Sequence, residues 1–123
     1  MKKNKISKNW IRQRQKDYFF TQSKIQGYRS RSAFKLIQID EKFKFINENT
    51  LLLDLGSSPG GWSQVASKKI NKGKILSVDI KPMQKINGVN FIQGDFLDLI
   101  IQKKINNFFD KKIDVVLSDM AAN

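Results

Sequence analysis

The chain predicts an α/β fold, with a mostly parallel sheet covered by helices on both faces and incomplete at about four strands. Three observations predict it. Short apolar runs the length of buried strands alternate with segments of helical periodicity. The run Leu51–Leu55 breaks into Gly56-Ser57-Ser58-Pro59-Gly60-Gly61 and then opens a helix, the corner where α/β sheets hold nucleotides. Each strand also brings a carboxylate to the same edge. At 123 residues the chain is one domain, long enough for a core but short for a complete doubly wound sheet.

In order, residues 1–20 read as a basic arm, mobile or partly helical. Gln26–Ser32 is turn-like and offers Ser30 and Ser32 as helix caps. A helix over about Ala33–Phe43 presents Ala33, Leu36, Ile37 and Ile39 for packing, with Lys35 in its first turns. Asn47-Glu48-Asn49 is a loop before the first strand, Thr50–Leu55. The helix after the glycine loop is supported by Trp62, Val65, Ala66 and Ile70, spaced i, i+3, i+4 and i+8. The second strand is Lys74–Ile80 and the third Val89–Gln93, and the short connection between them leaves no room for a full helix. Leu97, Ile100, Ile101, Ile105 and Phe108 make a helical stripe over Phe96–Phe108. The fourth strand is Ile113–Ser118.

The loop is not the dinucleotide pattern, because Ser58 stands where the second glycine belongs. It is not a phosphate-binding P-loop either, since no GK[ST] follows. What remains suits a neutral or zwitterionic adenosine ligand. Ligands of open α/β sheets sit beyond the carboxyl ends of the strands. Asp54, Asp79, Asp95 and Asp119 all reach that edge. Asp79 is placed like an acid that accepts from ribose hydroxyls, and Asp95 like one that accepts from an adenine amine. Asp98 and Asp110 read as surface charges, and Asp114 opens the fourth strand at the opposite edge without a role.

Composition narrows the chemistry. The chain has no Cys and no His, which removes disulfides, thiolate metal sites and the commonest general base. Catalysis must rest on Lys, Asp, Glu, Tyr or backbone groups. No stretch reads as a signal peptide or a membrane span, so a cytoplasmic location is expected. Net charge is +12, and its distribution matters more than its size. Residues 1–35 carry eleven Lys or Arg against one acid, Asp17, whereas residues 36–123 carry twelve basic and ten acidic groups. All four arginines, Arg12, Arg14, Arg29 and Arg31, lie in the first segment among Trp10, Tyr18, Phe19, Phe20 and Tyr28. Planar guanidinium forks interleaved with rings suit nucleic-acid backbone contact better than a merely solvated tail.

Leu53–Gln64 resembles motif I of the FtsJ/RrmJ-type ribosomal RNA 2′-O-methyltransferases. Tyr28–Leu36, Val78-Asp79-Ile80 with Pro82-Met83, Phe91–Phe96 and Leu117–Ala121 agree with that family in order and spacing. The resemblance implies a Rossmann-like fold that binds S-adenosylmethionine and methylates a uridine ribose in 23S rRNA of the large ribosomal subunit. It implies cofactor contacts from Gly60, Trp62, Asp79, Asp95 and Asp119. It also makes Lys35 and Asp119 the first two members of a Lys-Asp-Lys-Glu catalytic set. The chemistry fits such a set: the enzyme holds a poorly nucleophilic hydroxyl in line with a methyl donor, and a buried lysine takes its proton. No metal is required.

The chain departs from the family pattern in two places. Ala122 replaces the Pro of an Asp-Met-Ala-Pro-Asn segment, and the later Lys and Glu of the catalytic set have no counterpart before Asn123. Lys111 and Lys112 precede the fourth strand and belong at its wrong end. The expectation is a truncated enzyme with a basic RNA-binding arm over 1–31 and the first part of a methyltransferase domain over 32–123. Its fourth strand, Val115–Leu117, would lose cover and become an apolar edge, with weak or no turnover. The competing readings are a non-catalytic RNA-binding remnant and, less well matched by the loop, a dehydrogenase-like nucleotide domain.

Overall fold

The computed structural model describes residues 12, 14 and 27–118. Along 27–118 run α1 (Ser32–Phe43), β1 (Leu51–Leu55), α2 (Gly61–Lys69), β2 (Lys74–Asp79), β3 (Asn90–Gln93), α3 (Leu99–Phe108) and β4 (Val115–Ser118). The strands form one sheet in the order β3-β2-β1-β4, and all three pairings are parallel. Arg12 and Arg14 are helical with exposed side chains. The other residues before Gly27, and Asp119 and Ala122, lie outside the described residues.

Alternation along β1 sends successive leucines to opposite faces. Leu52 joins Ala33 and Leu36 of α1, Val65 and Ala66 of α2, and Ile75 of β2 in one core. Leu53 joins Leu76, Val78 and, from α3, Ile101 and Ile105 in the other. Helices therefore cover both faces, which is why β1 and β2 read as nearly continuous apolar runs. Burying each of the Leu, Ile and Val side chains among them contributes about 1.5–3 kcal/mol. β4 differs. Val115 and Leu117 are only half-buried, and Val116 is 57% exposed. Among the described residues β4 pairs with β1 alone.

Four local expectations are corrected. Neither Ser30 nor Ser32 caps α1: the N-cap is Arg31, without a side-chain bond. The two serine hydroxyls bond each other at 2.7 Å instead. α3 starts at Leu99 rather than Phe96, because Asp95 first closes a turn, accepting from the Leu97 amide at 2.9 Å. Asp98 then caps the helix by accepting from Ile100 N at 2.9 Å, so it is more than a surface charge. Asp114 also has a role: its Oδ2 accepts from Leu51 N at 2.8 Å and pins the start of β1.

α1 ends at Lys44, a residue in the left-handed region (φ 49°, ψ 53°). That conformation costs a non-glycine residue about 1–2 kcal/mol, and buried Asp40 offsets it. Its Oδ1 accepts from Phe45 N at 3.0 Å and from Ile46 N at 2.9 Å, satisfying amides the helix has left behind. Its Oδ2 pairs with Lys69 of α2. Burial pushes this carboxyl up. The Lys69 hydrogen bond and charge, with the two amides, outweigh burial and hold it below the usual aspartate range.

Candidate functional site

The glycine loop is built by β2 as much as by β1. Gly56 N and Ser57 N both donate to Val78 O, at 2.8 and 3.3 Å. Ser58 N donates to Asp79 Oδ2 at 2.8 Å, and Ser58 Oγ to Pro82 O at 3.0 Å. The other Asp79 oxygen accepts from Lys81 N at 3.0 Å. The carboxylate ending β2 thus ties the loop to the chain leaving its own strand. Gly60 caps α2 at φ 114°, a conformation L side chains rarely adopt. A Cβ there would stand 2.9 Å from Ile86 Cδ1 and 3.2 Å from Met83 Sδ. Glycine is required at this position by conformation and by space.

Two cavities flank the loop at the carboxyl edge and share Gly56 and Ser58. The first, about 320 Å³, is lined by Val78, Asp79, Ile80, Lys81, Gly94, Asp95 and Phe96 besides those two. Its volume lies at the lower end of ordinary small-molecule sites. The second, about 120 Å³, is bounded by Ser30, Ser32, Asp54, Ser57, Pro59, Gly61 and Trp62. Buried Asp54 accepts from Ser63 Oγ at 2.7 Å, and Ser63 Oγ lies 2.5 Å from Ser77 Oγ. Ser57 Oγ is buried with no hydrogen-bond partner among the described residues. An orphaned hydroxyl on a cavity wall leaves one polar group for a ligand to satisfy.

The structure brings together Asp79, Asp95 and, across the loop, Trp62. The Trp62 ring is fixed by its Nε1, which donates to Ser32 O at 2.7 Å. Gly60 shapes the loop. Lys35 is exposed on α1 and lines neither cavity, so the expected buried lysine is not what the described residues contain. Arg31 is exposed, like Arg12 and Arg14. Arg29 is half-buried, and its guanidinium donates to three backbone carbonyls. The packed body accordingly reaches back to Tyr28, which packs against the first core, rather than starting at Ser32. Lys111 and Lys112 line a separate cavity with Leu51 and Lys74, the first residues of β1 and β2. That is the amino edge, the wrong end for this site, as their place before β4 predicts.

Sequence reasoning passed over Gly56, Ser57, Ser58 and Phe96 as lining residues. For the first three the signal was their position within the loop itself. Phe96 gave none, because a single aromatic after Asp95 reads equally well as helix core. No helix among the described residues is long and apolar enough to cross a membrane.

Comparisons with known proteins agree with this geometry. A family model described as FtsJ-like methyltransferase matches residues 28–123. Ribosomal RNA large subunit methyltransferase E of Pelagibacter ubique is 51% identical over 123 residues, covering 100% of this chain and 61% of that protein. The protein of the same name from Rickettsia akari is 43% identical over 128 aligned positions, covering 99% and 56%. This chain thus spans about 60% of the length of these curated relatives. The crystal structure of a protein from Plasmodium falciparum named a ribosomal RNA methyltransferase matches with a TM-score of 0.69 and 40% identity. That match covers 78% of this chain and 58% of the other. A parallel four-stranded α/β sheet, a glycine loop at its carboxyl edge and a family match running from Tyr28 onward lead to one assignment: the chain belongs to the FtsJ-like methyltransferase family.

Proposed function

We propose that this chain binds S-adenosylmethionine in the paired cavities and serves 2′-O-methylation of a uridine ribose in 23S rRNA of the large ribosomal subunit. The observation that carries the proposal is the acid-lined double cavity around one glycine loop. Asp54, Asp79 and Asp95 stand at its walls with, among the described residues, a single cation, Lys81. That charge disfavours phosphate-bearing nucleotides and suits a neutral adenosine carrying a sulfonium. The residues fit the group. Ser57 Oγ lacks a partner among the described residues at the second cavity, and Gly56, at φ 72°, lets backbone approach a ligand between the two.

When bound, S-adenosylmethionine supplies an electrophilic methyl to an oxygen nucleophile. This chain's residues bind and orient. Asp79 keeps lone pairs for a ribose diol while its two amide bonds hold it still. Asp95 and Phe96 receive the base, the carboxylate by accepting an amine hydrogen and the ring by apolar contact. Gly60 and Trp62 set the loop and the wall of the smaller cavity. Asp119 and Lys35 take the family's catalytic places, Asp119 orienting the donor end and Lys35 removing the hydroxyl proton once RNA covers it. Arg12, Arg14 and Arg31, in the 1–31 arm, contact the RNA backbone in the cytoplasm, where the large subunit is assembled.

Calorimetric titration of the purified chain with S-adenosylmethionine, ATP and NADH tests the binding step. Binding of the first and neither of the others is expected, and binding of a phosphate-bearing nucleotide instead would sink the proposal. Transfer of a labelled methyl to under-methylated large subunits tests turnover. The exposed Arg12, Arg14 and Arg31 favour a second reading, RNA binding without turnover. It predicts RNA binding with no label transferred.

A further inference from the structure

We infer that Arg29 is a positioning residue for the methyl-donor site rather than an RNA contact, holding the glycine loop against the chain that links β2 to β3. This inference rests on the donor-binding reading above. The Arg29 side chain bonds the folded body. One guanidinium nitrogen, Nη1, donates to Pro59 O at 3.1 Å and to Gln84 O at 2.5 Å. The other, Nη2, donates to Lys85 O at 2.8 Å. Pro59 lies in the glycine loop and lines the smaller cavity. The two remaining acceptors lie well beyond α2, in the segment whose Met83 and Ile86 crowd Gly60.

The backbone of Arg29 is anchored as well. Its amide donates to Gln64 Oε1 at 2.7 Å, and Gln64 Nε2 donates to Gly27 O at 3.2 Å, so one side chain of α2 holds the backbone on both sides of Tyr28, directly ahead of the Arg29 side chain. One planar fork therefore spans three chain segments that no direct strand pairing joins. Only a guanidinium has donors in the geometry to reach such divergent carbonyls at once; an ammonium is a point donor. Removing it frees Pro59 O and the 84–85 carbonyls and lets the loop bordering both cavities drift.

The test uses the full chain and its Arg29→Ala, Arg29→Lys and Arg31→Ala variants. Affinity for S-adenosylmethionine is read by calorimetry, affinity for a 23S rRNA transcript by filter binding, and loop order by amide hydrogen exchange. Both Arg29 variants are expected to bind the donor about tenfold or more weakly. Exchange should quicken at 58–61 and 84–86, with RNA affinity and its salt dependence near the parent's. Arg31→Ala should show the opposite pattern. Donor affinity and loop exchange left unchanged in Arg29→Lys would overturn the inference. So would an Arg29→Ala chain that loses RNA affinity alone. Should Arg29→Ala fail to fold, Arg29→Lys keeps the charge and carries the test. A parent chain that binds no donor would sink the functional proposal, while the exchange readout would still judge the role of Arg29.

Discussion

Asp79 accepts the Ser58 amide at 2.8 Å, joining the last residue of β2 to the middle of the glycine loop. The same carboxylate faces the larger cavity, so one side chain both shapes the site and lines it. Asp79→Asn keeps the size but gives up one acceptor oxygen to an NH2 group that opposes an amide donor. The expected result is a donor affinity about tenfold or more lower in calorimetry, from a lost charge-assisted bond worth about 1.5–3 kcal/mol. Donor affinity equal to the parent's would remove Asp79 from the site.

Gly60→Ala places a methyl against Ile86 and Met83 at a backbone angle that alanine adopts only with strain. Strain of this kind costs about 1–3 kcal/mol before the clash is counted. A fall of at least that size in urea-unfolding stability is expected, together with weaker donor binding. Gly27 has a positive φ too, but a Cβ added there would meet nothing within 4 Å. Gly27→Ala should therefore cost less than Gly60→Ala, and the reverse order would show that the packing around Met83 and Ile86 is not the cause.

The Asp40–Lys69 pair sets an acid limit. Because the folded carboxyl is held below its unfolded value, its contribution is present above the unfolded range and fades as pH falls through the folded one. Stability should drop on acidification below about pH 4, where unfolded aspartate takes up its proton. Asp40→Asn should lower stability by about 1–3 kcal/mol at neutral pH and flatten that acid limb. An acid limb of unchanged steepness in the variant, followed by thermal melts across the acid range, would assign the loss to other carboxylates.

Arg12 and Arg14 are helical and exposed. If both neutralise phosphates of single-stranded RNA, Arg12→Ala with Arg14→Ala should reduce the slope of log affinity against log salt by about 1.4. Donor affinity should not move. A slope identical to the parent's would take these two side chains off the RNA.

The order of elements, the parallel sheet and the glycine loop were legible in the sequence because they follow from local rules. Apolar runs and helical stripes report which faces are buried, and Gly60 between Pro59 and Gly61 announces a turn no other residue makes cheaply. Asp79 and Asp95 were legible for the same reason, since one ends a strand and the other follows one. What only the tertiary structure decided are pairings between distant segments. Asp40 meets Lys69 across 29 residues. Arg29 meets Lys85 across 56, which turns a basic side chain from an expected phosphate contact into a clamp on backbone carbonyls. Lys35 sits on the exposed side of α1, although the helix itself was correctly expected. Periodicity states which residues are inside, because burial is a one-dimensional pattern. Which donor finds which acceptor depends on how helices and loops stack in three dimensions, and no local pattern in the chain encodes that.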